Sequence, residues 1–418
     1  MNLLIRNAAL YDPQSSFHKK TVSVLIQNGI IKQIAENIDV KAPEADGNGA
    51  WLMPGFFDLN INAGEPGLET REDLDSAEKA AAAGGFTGVA VMPNTQPPVH
   101  ARAEVEYLMK RAQGRLVDFY PLGTISQKRE GKDLSEMFDM QRAGAIAFTD
   151  GNRPVQDAGL MMRALQYAKG LDALVFSFAE DEAIAGGAQV HEGEVSTMLG
   201  MKGIPGMAEE LMIARDLYLA EYTGSRIHFS TISTARSVDL IRQAKKRGIS
   251  VTCDVAAYHL VLNDDSLAGF DSLYKTKPPL RTKSDSKALV AGLRDGTIDA
   301  VVSQHTPYEV EHKDVEFQVA SYGMTGLQTV FSLVKKAGLN ADMILQKLCI
   351  GPRQVLGLPV PQIAEGQPAN LTLVAPSAEW TFSRENNRSL SVNSPFIGQS
   401  LSGKVLLTIH HNQITQNP

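Results

Sequence analysis

The sequence predicts an α/β protein, a (β/α)8 barrel carrying a small discontinuous β-sandwich built from both chain ends. Three observations predict it. Apolar runs alternate with helix-patterned segments through the middle of the chain, both termini are punctuated as short strands, and 418 residues exceed one core. A single hydrophobic core seldom grows beyond roughly 250–300 residues, so one large and one small domain are expected.

The elements follow in order. Leu3–Arg6, Val22–Gln27 and Gly29–Ile34 read as strands, and Asn28-Gly29 between two apolar runs is a hairpin signal. Asn370–Val374 and Lys404–Ile409 read the same way near the other end. The two groups are expected to pair, giving a composite domain of residues 1–53 with 361–418 around a barrel of 54–360. Within the barrel the strands are Phe56–Ile61 (the apolar run Trp51 to Phe57 reading as part of this first strand), Gly88–Met92, Val117–Thr124, Ala145–Phe148, Leu174–Phe178, Ile227–Thr231, Ser250–Val255 and Ala300–Ser303. Helical periodicity over Glu72–Ala83, Glu209–Tyr222 and Ser237–Arg247 stops in each case at glycine, the usual C-terminal cap. A doubly wound sheet would need a glycine-rich phosphate turn after its first strand, and Gly55-Phe56-Phe57-Asp58 is not one.

Composition excludes several function classes. Hydrophobic content of 43% and charged content of 21% are those of a soluble globular protein. A net charge of −7 argues against nucleic-acid or anionic-membrane partners and fits a cytoplasmic protein. No run approaches the roughly 20 apolar residues of a membrane span. Cys253 and Cys349 are too isolated for a disulfide framework or a thiolate metal site.

Specific segments carry a resemblance. PGFFD (54–58), GEPG (64–67), AAAAGGFTGVAVMPNTQP (80–97), AFTDGNRPVQ (147–156), KPPLR (277–281), DGTIDAVVSQHTPY (295–308) and NSPFIG (393–398) make the chain similar to the dihydroorotases of the amidohydrolase superfamily over nearly its whole length. Hydantoinases and allantoinases are less similar around 80–97 and 277–281. The resemblance implies a barrel of the metal-dependent hydrolase type whose zinc ions ionise a water and polarise a cyclic amide at the C-terminal ends of the strands.

Carried over position by position, that chemistry is missing here. The paired first-strand histidines fall on Asn60 and Asn62, and the bridging aspartate of strand four on Gly151 beside a retained Asp150. The fifth- and sixth-strand histidines fall on Phe178 and Thr231, and the general-base aspartate of strand eight on Gln304. Zinc takes imidazole, carboxylate or thiolate, and a neutral amide accepts no proton near pH 7. Of the substrate-holding positions only Asn94 is kept; the others are Gly64, Lys277 and Tyr308. Losing the arginine at 64 removes a bidentate carboxylate contact that Lys277, as a point charge, does not reproduce. No zinc or other cofactor is therefore expected.

Bland readings stand beside sharper ones. His305 and His259 are read as packing at the barrel mouth, against a relocated metal using Asp58, Glu180, Asp254 or His305. His228, His191 and His312 are read as surface or second-layer residues, Asn94 as either a loop brace or a ligand contact, and Arg281 as an ion-pair partner. Lys245-Lys246-Arg247 closes a helix, where positive charge suits the dipole. His410 and His411 could bind a metal adventitiously, but as strand neighbours they are expected to face opposite ways. The resemblance implies a homodimer and, since some inactive dihydroorotase homologues serve as structural partners of aspartate carbamoyltransferase, the same role here. The alternatives are an active cyclic amidohydrolase with an unorthodox site and a small-molecule sensor.

Overall fold

The computed structural model describes residues 1–417. Its central feature is a parallel sheet of eight strands in sequential order: Phe56–Ile61, Phe86–Val91, Asp118–Gly123, Ala147–Phe148, Val175–Ser177, Ile227–Phe229, Val251–Ala256 and Ala300–Val302. The ring closes where Ile61 bridges His305 and the Asn62 amide donates to the His305 carbonyl at 2.9 Å. All eight predicted strands are present, each shifted or trimmed by a few residues at most. Phe56, Phe57, Phe86, Phe148, Phe176 and Phe229 are buried among them. Such a side chain contributes about 1.5–3 kcal/mol on burial, alongside the many buried aliphatic residues packed with it.

Local chemistry sets the helix ends. Asp73 accepts from the Ser76 amide at 2.7 Å while Ser76 Oγ accepts from the Asp73 amide, a reciprocal cap that starts Leu74–Ala83. The helix predicted from Glu72 begins two residues later because Glu72 is held elsewhere, as described below. Thr234 caps Ala235–Lys246 through the Ser237 amide, and Met207–Thr223 stops at Gly224, whose φ of +62° suits glycine.

The two chain ends pair as expected, in one continuous sheet. Its order is Gln413–Gln416, Ser400–His410, Leu371–Thr381, Trp51–Pro54, Asn2–Leu10, Thr21–Gln27 and Ile30–Ala35, with Glu44–Asp46 beside Asn2–Leu10. Leu3, Ile5, Val22, Val24, Leu371, Leu373 and Leu407 form its separate core. Asn28 and Gly29 take φ of +51° and +75° between paired Gln27 and Ile30, a tight hairpin of the predicted kind. One expectation is corrected: the apolar run from Trp51 to Phe57 is not one strand. It divides at Gly55, with Trp51–Pro54 in the composite sheet and Phe56 opening the barrel. A Cβ at Gly55 would lie 2.2 Å from Thr87 Oγ1, so the chain passes between sheets only because residue 55 has no side chain. Among the described residues no helix is long and apolar enough to cross a membrane.

Candidate functional site at the barrel mouth

The loops after the strands bring the predicted positions together. Asn60, Asn62, Asn94, Gly151, Phe178, Lys277 and Gln304 line one cleft, and Thr231 adjoins it through a hydrogen bond from Asn60. Gly64 and Tyr308 lie farther out, around a second cavity that shares Asn62 and Asn94.

Each substituted side chain is engaged by a neighbour. Asn60 Nδ2 donates to Ser230 Oγ at 3.2 Å and to Thr231 Oγ1 at 3.4 Å. Asn62 Nδ2 donates to the His305 carbonyl at 3.0 Å, and Asn62 Oδ1 accepts from Asn94 Nδ2 at 2.7 Å. Asn94 is thus a brace of the cleft. Gln304 accepts from the Tyr258 hydroxyl and donates to the Lys277 carbonyl at 2.9 Å. The Lys277 ammonium lies 2.9 Å from Glu180 Oε1 and above the Phe178 ring, so its charge is answered within the protein. The space left in this cleft is ≈ 30 Å³. That is room for about one water, against roughly 300–1,000 Å³ for a ligand pocket.

Four of these positions hold a left-handed backbone. Gly151 has φ of +63°, and a Cβ there would lie 2.0 Å from Asn94 Oδ1. Gly64 has φ of +70°, and its Cβ would lie 2.0 Å from the Glu72 carbonyl oxygen. Thr231 and Gln304 also hold positive φ, +58° and +47°, which is rare for side chains of this kind.

The residues present do not fit a zinc pair at the mouth. The six positions to which the resemblance assigns ligands and base offer amides, a glycine, a phenyl ring and a hydroxyl. The acids and imidazoles nearby are committed. Asp58 accepts from the Asn60 and Ser303 amides at 2.9 and 2.8 Å, and complete burial pushes its pKa up to about 7. Asp254 accepts from His228 Nε2 and the Thr231 amide, and Glu180 pairs with Lys277. His305 Nε2 sits 3.0 Å from buried Glu72, with the Gly326 amide on its Nδ1. The four residues considered for a relocated metal therefore do not converge. Asp150 is turned away, accepting from Ile125, Ser126 and the Ser126 hydroxyl.

Of the two places expected for His228, surface or second layer, it takes the second: it is fully buried against Phe176 and bonded to Asp254, which holds Thr231. His259 is buried, and burial drives its pKa down to about 3, so it stays neutral. Arg281 is the expected structural cation, donating to Ser233 and the Ile204 carbonyl 3.6 Å from Glu209. The retained Glu65 of GEPG accepts from Arg111, Tyr107 and the Leu74 amide, and so anchors its loop to the helix over 102–111.

Sequence reasoning missed two clusters. The outer cavity, ≈ 290 Å³, is lined by Arg71, Arg129 and Arg153. Arg71 pairs with Glu309 at 3.0 Å, but Arg129 donates to the Asp150 carbonyl and Asn152, and Arg153 to the Arg129 carbonyl. Burial, then the like charge of Arg153, lowers the Arg129 pKa to about 10. No periodicity marks such residues. The second cluster, Asp118 with His410 and His411, had a signal: Asn412 is a turn residue, which places His411 outside the strand.

Comparisons with known proteins agree with this architecture. The dihydro-orotase-like family model matches residues 49–237. The dihydroorotase of Geotalea daltonii is 40% identical over 416 residues, covering 98% of each chain, and that of Pelotomaculum thermopropionicum 41% over 415, covering 98% of this chain and 97% of that one. Among solved structures, the L-hydantoinase (dihydropyrimidinase) from Arthrobacter aurescens superposes with a TM-score of 0.85 at 24% identity, covering 100% of this chain and 96% of that one, a likeness of fold. With the eight-stranded barrel, the composite sheet and full-length identity near two residues in five, the chain belongs to the dihydroorotase family.

Proposed function

We propose that this chain is a catalytically inactive dihydroorotase homologue that serves as a structural or regulatory partner of aspartate carbamoyltransferase. One observation carries the reading: Asn60, Asn62, Gly151, Phe178, Thr231 and Gln304 stand at the positions of every ligand and the base, and the cleft at which they gather holds only ≈ 30 Å³. Lowering the pKa of a water from 15.7 to about 7 needs a metal held by strong donors, and the mouth supplies none that is free. The preserved scaffold is then kept for its surface. Purified protein supplied with Zn2+ is expected to interconvert dihydroorotate and carbamoyl-aspartate no faster than a heat-denatured blank. Chelator-sensitive turnover above that blank would sink the inactivity. Co-expression with the carbamoyltransferase of the same genome is expected to give one co-migrating complex, and separate elution would remove the partnership.

The outer cavity favours a second reading, a sensor for a small anion. Two guanidinium groups without ion-pair partners among the described residues share ≈ 290 Å³ of space. Calorimetric titration with small dicarboxylates is expected to show binding that Arg129→Gln weakens roughly tenfold or more, the loss of one charge-assisted contact. Equal affinity in both proteins would exclude this cavity as the site.

A further inference from the structure

We propose that Asp118, His410 and His411 form a binding site for one divalent transition-metal ion, at the opposite end of the barrel from the mouth. Asp118 is the first residue of the third barrel strand, and His410 is the last of strand Ser400–His410 in the composite sheet. His411 is not in a strand. His410 pairs with Gln413 across a two-residue turn in which His411 and Asn412 take φ of +48° and +60°. An extended backbone would send neighbouring side chains to opposite faces. The left-handed turn instead brings the two imidazoles to the same side, ring centres 3.7 Å apart.

Both rings then meet one carboxylate. His410 Nε2 lies 3.0 Å from Asp118 Oδ2 and His411 Nε2 lies 2.8 Å from Oδ1. The three donor atoms lie within 4.8 Å of one another. Metal–nitrogen and metal–oxygen bonds of about 2.0–2.2 Å place tetrahedral ligands roughly 3.4 Å apart, so closure on an ion asks for shifts of an ångström or so. Two imidazoles and one carboxylate suit zinc, cobalt, nickel or copper; magnesium and calcium prefer all-oxygen sets. His410 Nδ1 is buried and meets no hydrogen-bond partner, so no second bond holds the ring in its Nε2–H tautomer; with the proton carried on Nδ1 instead, the Nε2 lone pair faces the site and can bind a metal. Asp118 and His410 also line a groove of ≈ 470 Å³, leaving space for water in the fourth position. A bound ion there fastens the last hairpin of the composite sheet to the floor of the barrel.

The test uses the full chain without a histidine tag, stripped by chelator and titrated with Co2+ as the probe, then with Zn2+ as competitor. One Co2+ per chain is expected, with the visible absorption of a four-coordinate ion, displaced by Zn2+. His411→Ala, at a half-exposed position, and Asp118→Asn are each expected to weaken binding at least about tenfold while the metal-free melting curve of His411→Ala stays that of the parent. Binding that survives unchanged in both variants places the ion elsewhere and overturns the assignment, as does the absence of any stoichiometric binding.

Discussion

Gly64→Arg is expected to cost the protein roughly 2–5 kcal/mol of stability and to restore no dihydroorotate binding. The left-handed backbone, φ of +70°, costs a side-chain-bearing residue about 1–2 kcal/mol. The new Cβ would also lie 2.0 Å from the Glu72 carbonyl oxygen and 2.8 Å from that of Leu68, both main-chain atoms of one turn. Forcing atoms into such a place adds about 1–3 kcal/mol. Gly49 supplies the control, since it holds φ of +72° with nothing within 4 Å of its Cβ position. Urea midpoints of Gly64→Ala and Gly49→Ala therefore separate collision from backbone strain. A Gly64→Arg protein within about 0.5 kcal/mol of the parent, the range of an ordinary surface change, would mean that the loop accepts the arginine readily. The expected loss, together with Gly151, whose Cβ position collides with Asn94, would make the mouth a surface that side-chain reversion alone does not turn back.

The fold was legible because its signals are local and repeated. Asn28-Gly29 announces a hairpin, glycines after Ala83, Thr223 and Arg247 announce helix stops, and eight apolar runs announce the barrel. The run over 51–57 misled because apolar continuity does not reveal a change of sheet; Gly55 marked the passage, and its meaning depended on the tertiary approach of Thr87. At the mouth, the positions of the replaced residues followed from aligned motifs, and the structure gathers them. What they do now was not legible. The pairing of Lys277 with Glu180 and of Asn62 with Asn94 joins different barrel strands' loops, a contact that no periodicity encodes. His228 was left between surface and second layer for a related reason: a polar residue one step inside a short strand is buried only if a neighbour such as Asp254 answers it.

Glu72→Ala should be among the most damaging single substitutions, costing about 3–5 kcal/mol, the usual consequence of deleting one partner from a buried charged cluster. Glu72 is fully buried and accepts from His305 Nε2 at 3.0 Å, from the Ser389 hydroxyl and from the Leu390 amide at 3.2 Å. His305 is the residue whose bridge to Ile61 closes the barrel, so the carboxylate ties the ring's seam to the segment at 389–391. Alanine leaves three donors without an acceptor, two of them buried and carrying a desolvation cost. Glu72→Gln keeps one carbonyl oxygen of similar reach and is expected to lose less. If His305 is retained for this seam, His305→Ala and the double variant should be non-additive by about 0.5–3 kcal/mol in a thermodynamic cycle, because each single change already breaks the shared contact. Strict additivity, or a Glu72→Ala loss below about 1 kcal/mol, would detach the histidine from barrel closure and return it to the list of groups available for chemistry at the mouth.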